Sequence, residues 1–279
     1  MTPSPILVIG ATGKVGRRVV ANLTAAGRLV RPAGRGTTPS FDWQNRSNWA
    51  ERFSGVETAY VSYYPDLAAP GAEADIEALI GIAKAAGLRR LVLLSGRGET
   101  GAQRCETMLS QSGLGYTILR AAWFNQNFSE GLLQPGVMAG QIAIPAGQRL
   151  EPFIDVEDIA EIGAAALIDD RHDNQLYELT GPRLLSFADA AAELSAAAGH
   201  PVAYVPISLE AFQAALSAEI GPQAAGLVTD VCRETFDGRN EQLADGVHRA
   251  LGRPARDFTD FCRSAARQGA WQHRHAAAG

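Results

Sequence analysis

The chain has 279 residues, 46% of them hydrophobic, and a formal net charge of −5. That apolar content supports a full core and excludes a disordered chain, and the acidic balance argues against a nucleic-acid surface, which carries a basic excess. Lys14 and Lys84 are the only lysines, and Cys105, Cys232 and Cys262 lie too far apart for a CxxC or a Cys/His metal set, which leaves them as buried thiols of a reducing compartment.

In chain order, ILVIGA (6–11) reads as a buried strand bounded by glycine. It leads into a helix with Val15, Val19 and Leu23 on one face, stopped at Gly27. LVRPAGR (29–35) is a second strand weakened by Pro32, and PSFDW (39–43) a very short third. TAYVSYY (58–64) is a fourth strand; a helix over 73–86 turns Ile76, Leu79, Ile80 and Ala83 inward and ends at Gly87. LRRLVLLS (88–95) is a fifth strand, 102–112 a helix and GYTILRA (115–121) a sixth strand. Strand–helix alternation of this kind implies parallel strands with crossover helices, an α/β doubly wound Rossmann sheet.

Beyond residue 130 the alternation loosens. GQIAIP (140–145) and PFIDV (152–156) read as short strands, and Asp155 caps a helix to about 168 with Asp158 in an imperfect capping box. LYELTG (176–181) is a strand, Ser186 caps the next helix, PVAYVPIS (201–208) is another strand and the rest is mostly helical. The expected division is a nucleotide-binding domain over 1–150, with 152–181 returning to it, and a smaller α+β lobe over 182–279 that binds substrate. The tail HRHAAAG holds two histidines, too few for a metal site. MTPSPILVIG has no basic region followed by an apolar core and cleavage site, and no apolar run reaches the length of a membrane span. A cytoplasmic protein, monomer or homodimer, with no membrane or nucleic-acid partner, is the expectation.

The chemistry starts at GATGKVG. Gly10, Gly13 and Gly16 follow a strand and open a helix, the setting in which a GxxGxxG turn receives a dinucleotide. The first glycine permits the turn, the second lets backbone approach a pyrophosphate, and the third allows close packing of helix on strand. A P-loop is excluded because it would need glycine at Val8 and Ser or Thr at Val15. The end of the second strand offers Arg31 and Arg35, with no acid before Asp42. A base there suits a 2′-phosphate, so NADP(H) is favoured over NAD(H). Asp42 is either an adenine contact or a turn residue.

Short-chain reductases protonate their substrate with a Tyr assisted by a Lys four residues later. None of the six tyrosines here has a lysine at that spacing. What remains at the carboxyl ends of the strands is Ser62, Tyr63 and Tyr64, then Ser95, then Ala121 to Asn127. Ser95 either bonds substrate or nicotinamide or caps a turn. Tyr64, Trp123 and Phe124 form an aromatic wall for a flat substrate, with core packing the alternative for Trp123. Asn125, Gln126 and Asn127 orient a ligand or cap the next segment. Glu106 and Cys105 read as an exposed helix face and a packed thiol.

Several segments carry a family resemblance: GATGKVGRRVV, VRPAGR, LVLLSGRGE, ETMLSQSGLGYTILRAAWFNQNFSEG, PFIDVEDIAE, YELTGPRLLSFADAAAEL and LGRPARDF. Together they resemble the NmrA-like group of atypical short-chain dehydrogenase/reductases, over nearly the whole chain and in order. Within it the chain is most similar to the ergot-alkaloid-type reductases (festuclavine and agroclavine dehydrogenase-like) and their bacterial relatives. Some members of the group carry His or Lys four residues before the glutamate matched by Glu106; here that residue is Ala102. The resemblance implies NADPH binding through Gly10, Thr12, Gly13, Lys14, Val15, Gly16 and Arg35. It also implies nicotinamide contacts near Ser62, Tyr63 and the segment after Arg120, and hydride transfer to an iminium or conjugated acceptor that needs little beyond positioning. The expected activity is hydride transfer from NADPH to a small conjugated, quinone or iminium-type acceptor, with Ser95 the one chemical group at the rim. The alternative is a regulator that senses the dinucleotide without turnover, as some members of the group do.

Overall fold

A computed structural model describes residues 4–272; the HRHAAAG tail lies outside the described residues. The elements in chain order are β1 (Ile6–Ile9), α1 (Lys14–Ala25), β2 (Val30–Ala33), α2 (Trp49–Phe53), β3 (Thr58–Val61), α3 (Ala72–Ala85), β4 (Arg90–Gly96), α4 (Thr100–Ser110) and β5 (Gly115–Ala121). There follow α5 (Asn127–Glu130), α6 (Gln134–Ala139), β6 (Gln141–Ile144), β7 (Leu150–Glu151), α7 (Val156–Ile168), β8 (Gln175–Leu179), β9 (Leu185–Ser186), α8 (Phe187–Ala198), β10 (Ala203–Pro206), α9 (Leu209–Ile220), α10 (Pro222–Thr235), α11 (Gly246–Leu251) and α12 (Phe258–Arg267). No helix among the described residues is long and apolar enough to cross a membrane.

The chain divides into two compact units. One comprises the residues up to Ala121, Val156–Leu179 and Ala244–Pro254; the other comprises Ala122–Asp155, Thr180–Leu243 and the residues from Ala255. The first unit holds a six-stranded sheet in the order β2-β1-β3-β4-β5-β8, every pair parallel. This is the expected doubly wound sheet, and its strand order reverses direction between β1 and β3, where such sheets open a crevice for ligands. Pro32 is tolerated because β2 is the sheet's edge. One face of the sheet packs on α3 and α4 through Leu91, Leu93, Ile118, Ile76, Leu79, Cys105 and Leu109. Toward α7, a Cβ on Gly163 would meet Leu119, Val19 and Tyr60 at 3.4 to 3.7 Å, the spacing of close-packed helix on strand. Helix α3 has Glu73 and Asp75 in its first turn and Lys84 in its last, matching the helix dipole.

The second unit has an aromatic core in which Phe128, Phe153, Phe187 and Phe258 stack edge-on or tilted at 5.2 to 6.2 Å. Two small ladders join it, β6 with β10 in parallel and β7 with β9 antiparallel. Ser186 caps α8 through a capping box with Asp189, as its spacing predicts.

Three expectations change. Residues 39–43 do not join the sheet: Phe41 and Trp43 alternate about Asp42 as a strand would, but both bury against Trp49, Phe41 stacking on it at 5.4 Å. Residues 152–156 contribute one isolated bridge, Phe124 to Ile154, and the paired strand is 150–151. Asp158, expected as part of a cap, is fully buried and pairs with Arg253 at 2.8 Å. The short helices α2, α5 and α6 fall below the length at which apolar periodicity shows.

Candidate active site

The end of β1 and the start of α1 form a backbone cradle. Gly10 has φ +82°, and a Cβ there would lie 2.9 Å from Cβ of Ser62 at the end of β3. Gly16 packs onto the turn so closely that its Cβ would fall 2.1 Å from the Gly10 carbonyl oxygen. Gly13 differs from both: a Cβ there meets only the Gly10 oxygen, at 3.3 Å. Gly13 is also the N-cap of α1, with no side-chain cap and no acid in the first turn. Backbone N–H groups at that end, with the helix dipole behind them, suit an anion. Burial, then Arg17 and Arg18, push the Lys14 ammonium below its ordinary pKa. A pyrophosphate therefore fits the residues present. Thr12 is exposed and Val15 buried against the sheet.

Arg35 follows β2, exposed, with its guanidinium 4.3 Å from the centre of the Tyr64 ring. It has no carboxylate partner among the described residues. Arg31, the other candidate, donates to the carbonyls of Arg52 and Ser54 at 2.8 and 2.7 Å and is structural. Asp42 is a turn residue: Oδ1 accepts from the Gln44 N–H, and its carbonyl takes the Trp49 indole. Tyr63 donates to Asp75 at 2.7 Å with its ring against Trp43, and burial followed by Asp75 raises its pKa. Its hydroxyl is thereby engaged with Asp75. Lys84 donates to the Ser112 carbonyl at 2.5 Å.

The ends of β4 and β5 carry a feature the helix periodicity does not show. Ser95 and Arg120 are register partners, so their side chains share a face. Both reach Glu106 on α4. Ser95 Oγ donates to Glu106 Oε1 at 2.6 Å; Arg120 donates through Nε at 3.0 and 3.2 Å and through Nη2. Glu106 is only 3% exposed, so its reading as an exposed helix face is corrected. A carboxylate can be buried when the neighbouring strand supplies its partners, and helix spacing carries no trace of that. The bond to Glu106 raises the Arg120 pKa further. Beside this triad, Glu99 lays its carboxyl on Gly96, where a Cβ would be 2.1 Å from it. Burial lifts the Asp66 carboxyl above its ordinary value, against the Ala68 N–H and a hydrogen bond with Glu99. Cys105 is buried and its thiol pushed up to about 11, by burial first.

In the second unit Trp123 is half-buried, 4.8 Å from Phe236, its indole donating to Thr235 at 3.1 Å and its backbone N–H to Glu151. Phe124 is half-buried, Asn127 opens α5, and Gln126 donates to Asp155 at 2.8 Å. Asn125 is fully buried with both amide atoms unpartnered.

No family model matches the chain. The NAD(P)H azoreductase of Xenophilus azovorans is 32% identical over 93% of this chain and 97% of its own length. The chain belongs to the NmrA-like atypical short-chain dehydrogenase/reductases. This reductase is also 26% identical to festuclavine dehydrogenase of Aspergillus fumigatus, across 92% of the chain and 96% of that enzyme. Its fold is that of triphenylmethane reductase from a Citrobacter species, solved with NADP(H). The TM-score is 0.78 at 19% identity, over 94% of this chain and 99% of that one. It is an NAD(P)H-dependent oxidoreductase.

Proposed function

We propose that the reductase uses NADPH in preference to NADH and passes hydride to a small conjugated acceptor of the quinone, azo or iminium type, without a tyrosine–lysine acid pair. The relatives named for azo and festuclavine chemistry agree with that acceptor class. Gly10, Thr12, Gly13, Lys14, Val15 and Gly16 hold the pyrophosphate, with Ser62 and Tyr63 bounding the cradle. Arg35 takes the 2′-phosphate, with Tyr64 beneath its guanidinium as a platform. When bound, the dihydronicotinamide supplies the hydride. Trp123, Phe124 and Asn127 are assigned to the acceptor, an aromatic surface with one polar group. Ser95 acts through Glu106, to which its hydroxyl donates a hydrogen bond. Holding two reactants in register supplies much of a rate that needs no proton donor in the same step.

The observation that carries the cofactor preference is Arg35, a guanidinium without a carboxylate partner at the end of β2. A charge-assisted bond to phosphate is worth about 1.5–3 kcal/mol, roughly 10- to 100-fold in affinity. Titration of NADPH and NADH against wild type and Arg35→Ala tests it. The ratio of the two affinities is expected to fall by that factor, and an unchanged ratio would remove the assignment.

A further inference from the structure

We propose that Arg120 is the electrostatic catalyst of this site, stabilising the negative charge that appears on the acceptor, and that it thereby selects neutral acceptors over cationic ones. The proposal rests on the hydride-transfer reading above. Arg120 has the geometry of a group aimed by others. Nε and Nη2 are both taken by Glu106, and Glu106 is held in turn by Ser95. Nη1 donates to no described residue. The Arg120 side chain keeps 22% exposure, whereas Glu106 keeps 4%. A bidentate carboxylate fixes the plane of a guanidinium and leaves the far N–H edge as a preset donor. That edge belongs to the penultimate residue of β5, at the carboxyl rim of the parallel sheet where ligands of such sheets bind. The next charge is Glu178 on β8, itself bonded to Arg97 at 2.5 Å.

The chemistry calls for such a group. A quinone or azo acceptor that takes a hydride at one atom gains two electrons and one proton. Its conjugated partner oxygen or nitrogen becomes anionic until solvent water protonates it. A fixed guanidinium stabilises that anion without losing its own proton, which removes the need for the absent tyrosine–lysine pair. Within the acceptor class proposed above this ranks quinones and azo compounds over iminium ions: a cationic acceptor, such as a triarylmethane dye or an iminium, is neutralised by hydride and gains nothing from it. The same positive edge disfavours its approach.

The test compares Arg120→Lys, Arg120→Gln and the double variant Glu106→Gln/Arg120→Gln, which leaves no unpaired buried carboxylate. kcat/KM is measured on a neutral naphthoquinone and on a cationic triarylmethane dye at saturating NADPH. Affinity for 4-nitrophenolate, an anionic product mimic, is measured by calorimetry on the NADP-loaded protein. The ratio of quinone to dye efficiency is expected to fall about 100-fold in both Gln variants, with partial rescue by Lys, and nitrophenolate binding to weaken about tenfold. Equal losses on both acceptors, or unchanged nitrophenolate binding, would overturn the assignment and leave the triad a packing device. A wild-type protein that binds NADPH and reduces neither acceptor would overturn the hydride-transfer reading, and the proposal with it.

Discussion

The three glycines of the cradle do different things, and alanine at each separates them. At Gly16 the added methyl would lie 2.1 Å from the Gly10 oxygen, 2.7 Å from its carbonyl carbon and 3.2 Å from Cα of Ala11. The first distance is roughly 1.4 Å inside the optimum separation of non-bonded atoms. All three neighbours are backbone, so no rotamer change relieves the overlap. Overpacking costs up to about 3 kcal/mol, and the Gly16→Ala melting temperature is expected to drop by about 6–12 °C. Gly13 has φ −76°, which alanine adopts freely, and a single 3.3 Å contact. Gly13→Ala should therefore stay within about 1 kcal/mol of wild type. Its methyl would occupy the space assigned to the pyrophosphate, so NADPH affinity should fall about tenfold. Gly81, inside α3 with nothing within 4 Å of an added Cβ, serves as the control. Gly81→Ala should gain about 1 kcal/mol from helix propensity alone. Circular-dichroism melts and fluorescence titration with NADPH read all three. A Gly16→Ala protein melting with wild type would refute the close approach. Wild-type NADPH affinity in Gly13→Ala would refute the cradle.

Other outcomes follow from single side chains. Replacing the buried, unpartnered amide of Asn125 with leucine should stabilise the protein by about 1–2 kcal/mol in urea melts, since an orphaned buried amide costs about that much; destabilisation would show a partner for it. Arg183, through its bonds at 2.7 and 2.9 Å, lowers the Asp257 carboxyl to about 2. A depressed carboxylate adds stability that is fully present above its unfolded pKa near 4 and lost as pH falls through about 2. With both side chains about one-third exposed, solvent screening reduces this to about 1 kcal/mol. Arg183→Met should thus be destabilised at pH 6 and close to wild type at pH 2; an equal deficit at both would refute the linkage. Cys105, Cys232 and Cys262 are buried, their thiols pushed up by burial, Cys232 to about 12. None should react with a disulfide reagent before unfolding, and one fast equivalent would contradict their burial.

The parallel strands were legible in the sequence because each is a short apolar run closed by glycine or polar residues, and alternation with helices leaves few other folds. GATGKVG was legible for a stronger reason: the positive φ of Gly10 and the packing of Gly16 on Gly10 and Ala11 are set within a few residues, and only the approach of Ser62 to Gly10 comes from elsewhere in the fold. The sequence also places Arg35 at the end of the second strand, and its role toward a 2′-phosphate is part of the proposal above. What the string did not carry were contacts made across the fold. Phe41 and Trp43 alternate like strand residues, and only Trp49 shows that they belong to an aromatic corner. Glu106 repeats at the spacing of an amphipathic helix, and nothing local marks it as buried. Its two partners come from β4 and β5, eleven residues before it and fourteen after it. Periodicity reports which face of an element a residue occupies. Whether a charge on that face meets water or a guanidinium depends on which strands pair in register, and in this reductase tertiary structure alone decided that Ser95, Glu106 and Arg120 form one group.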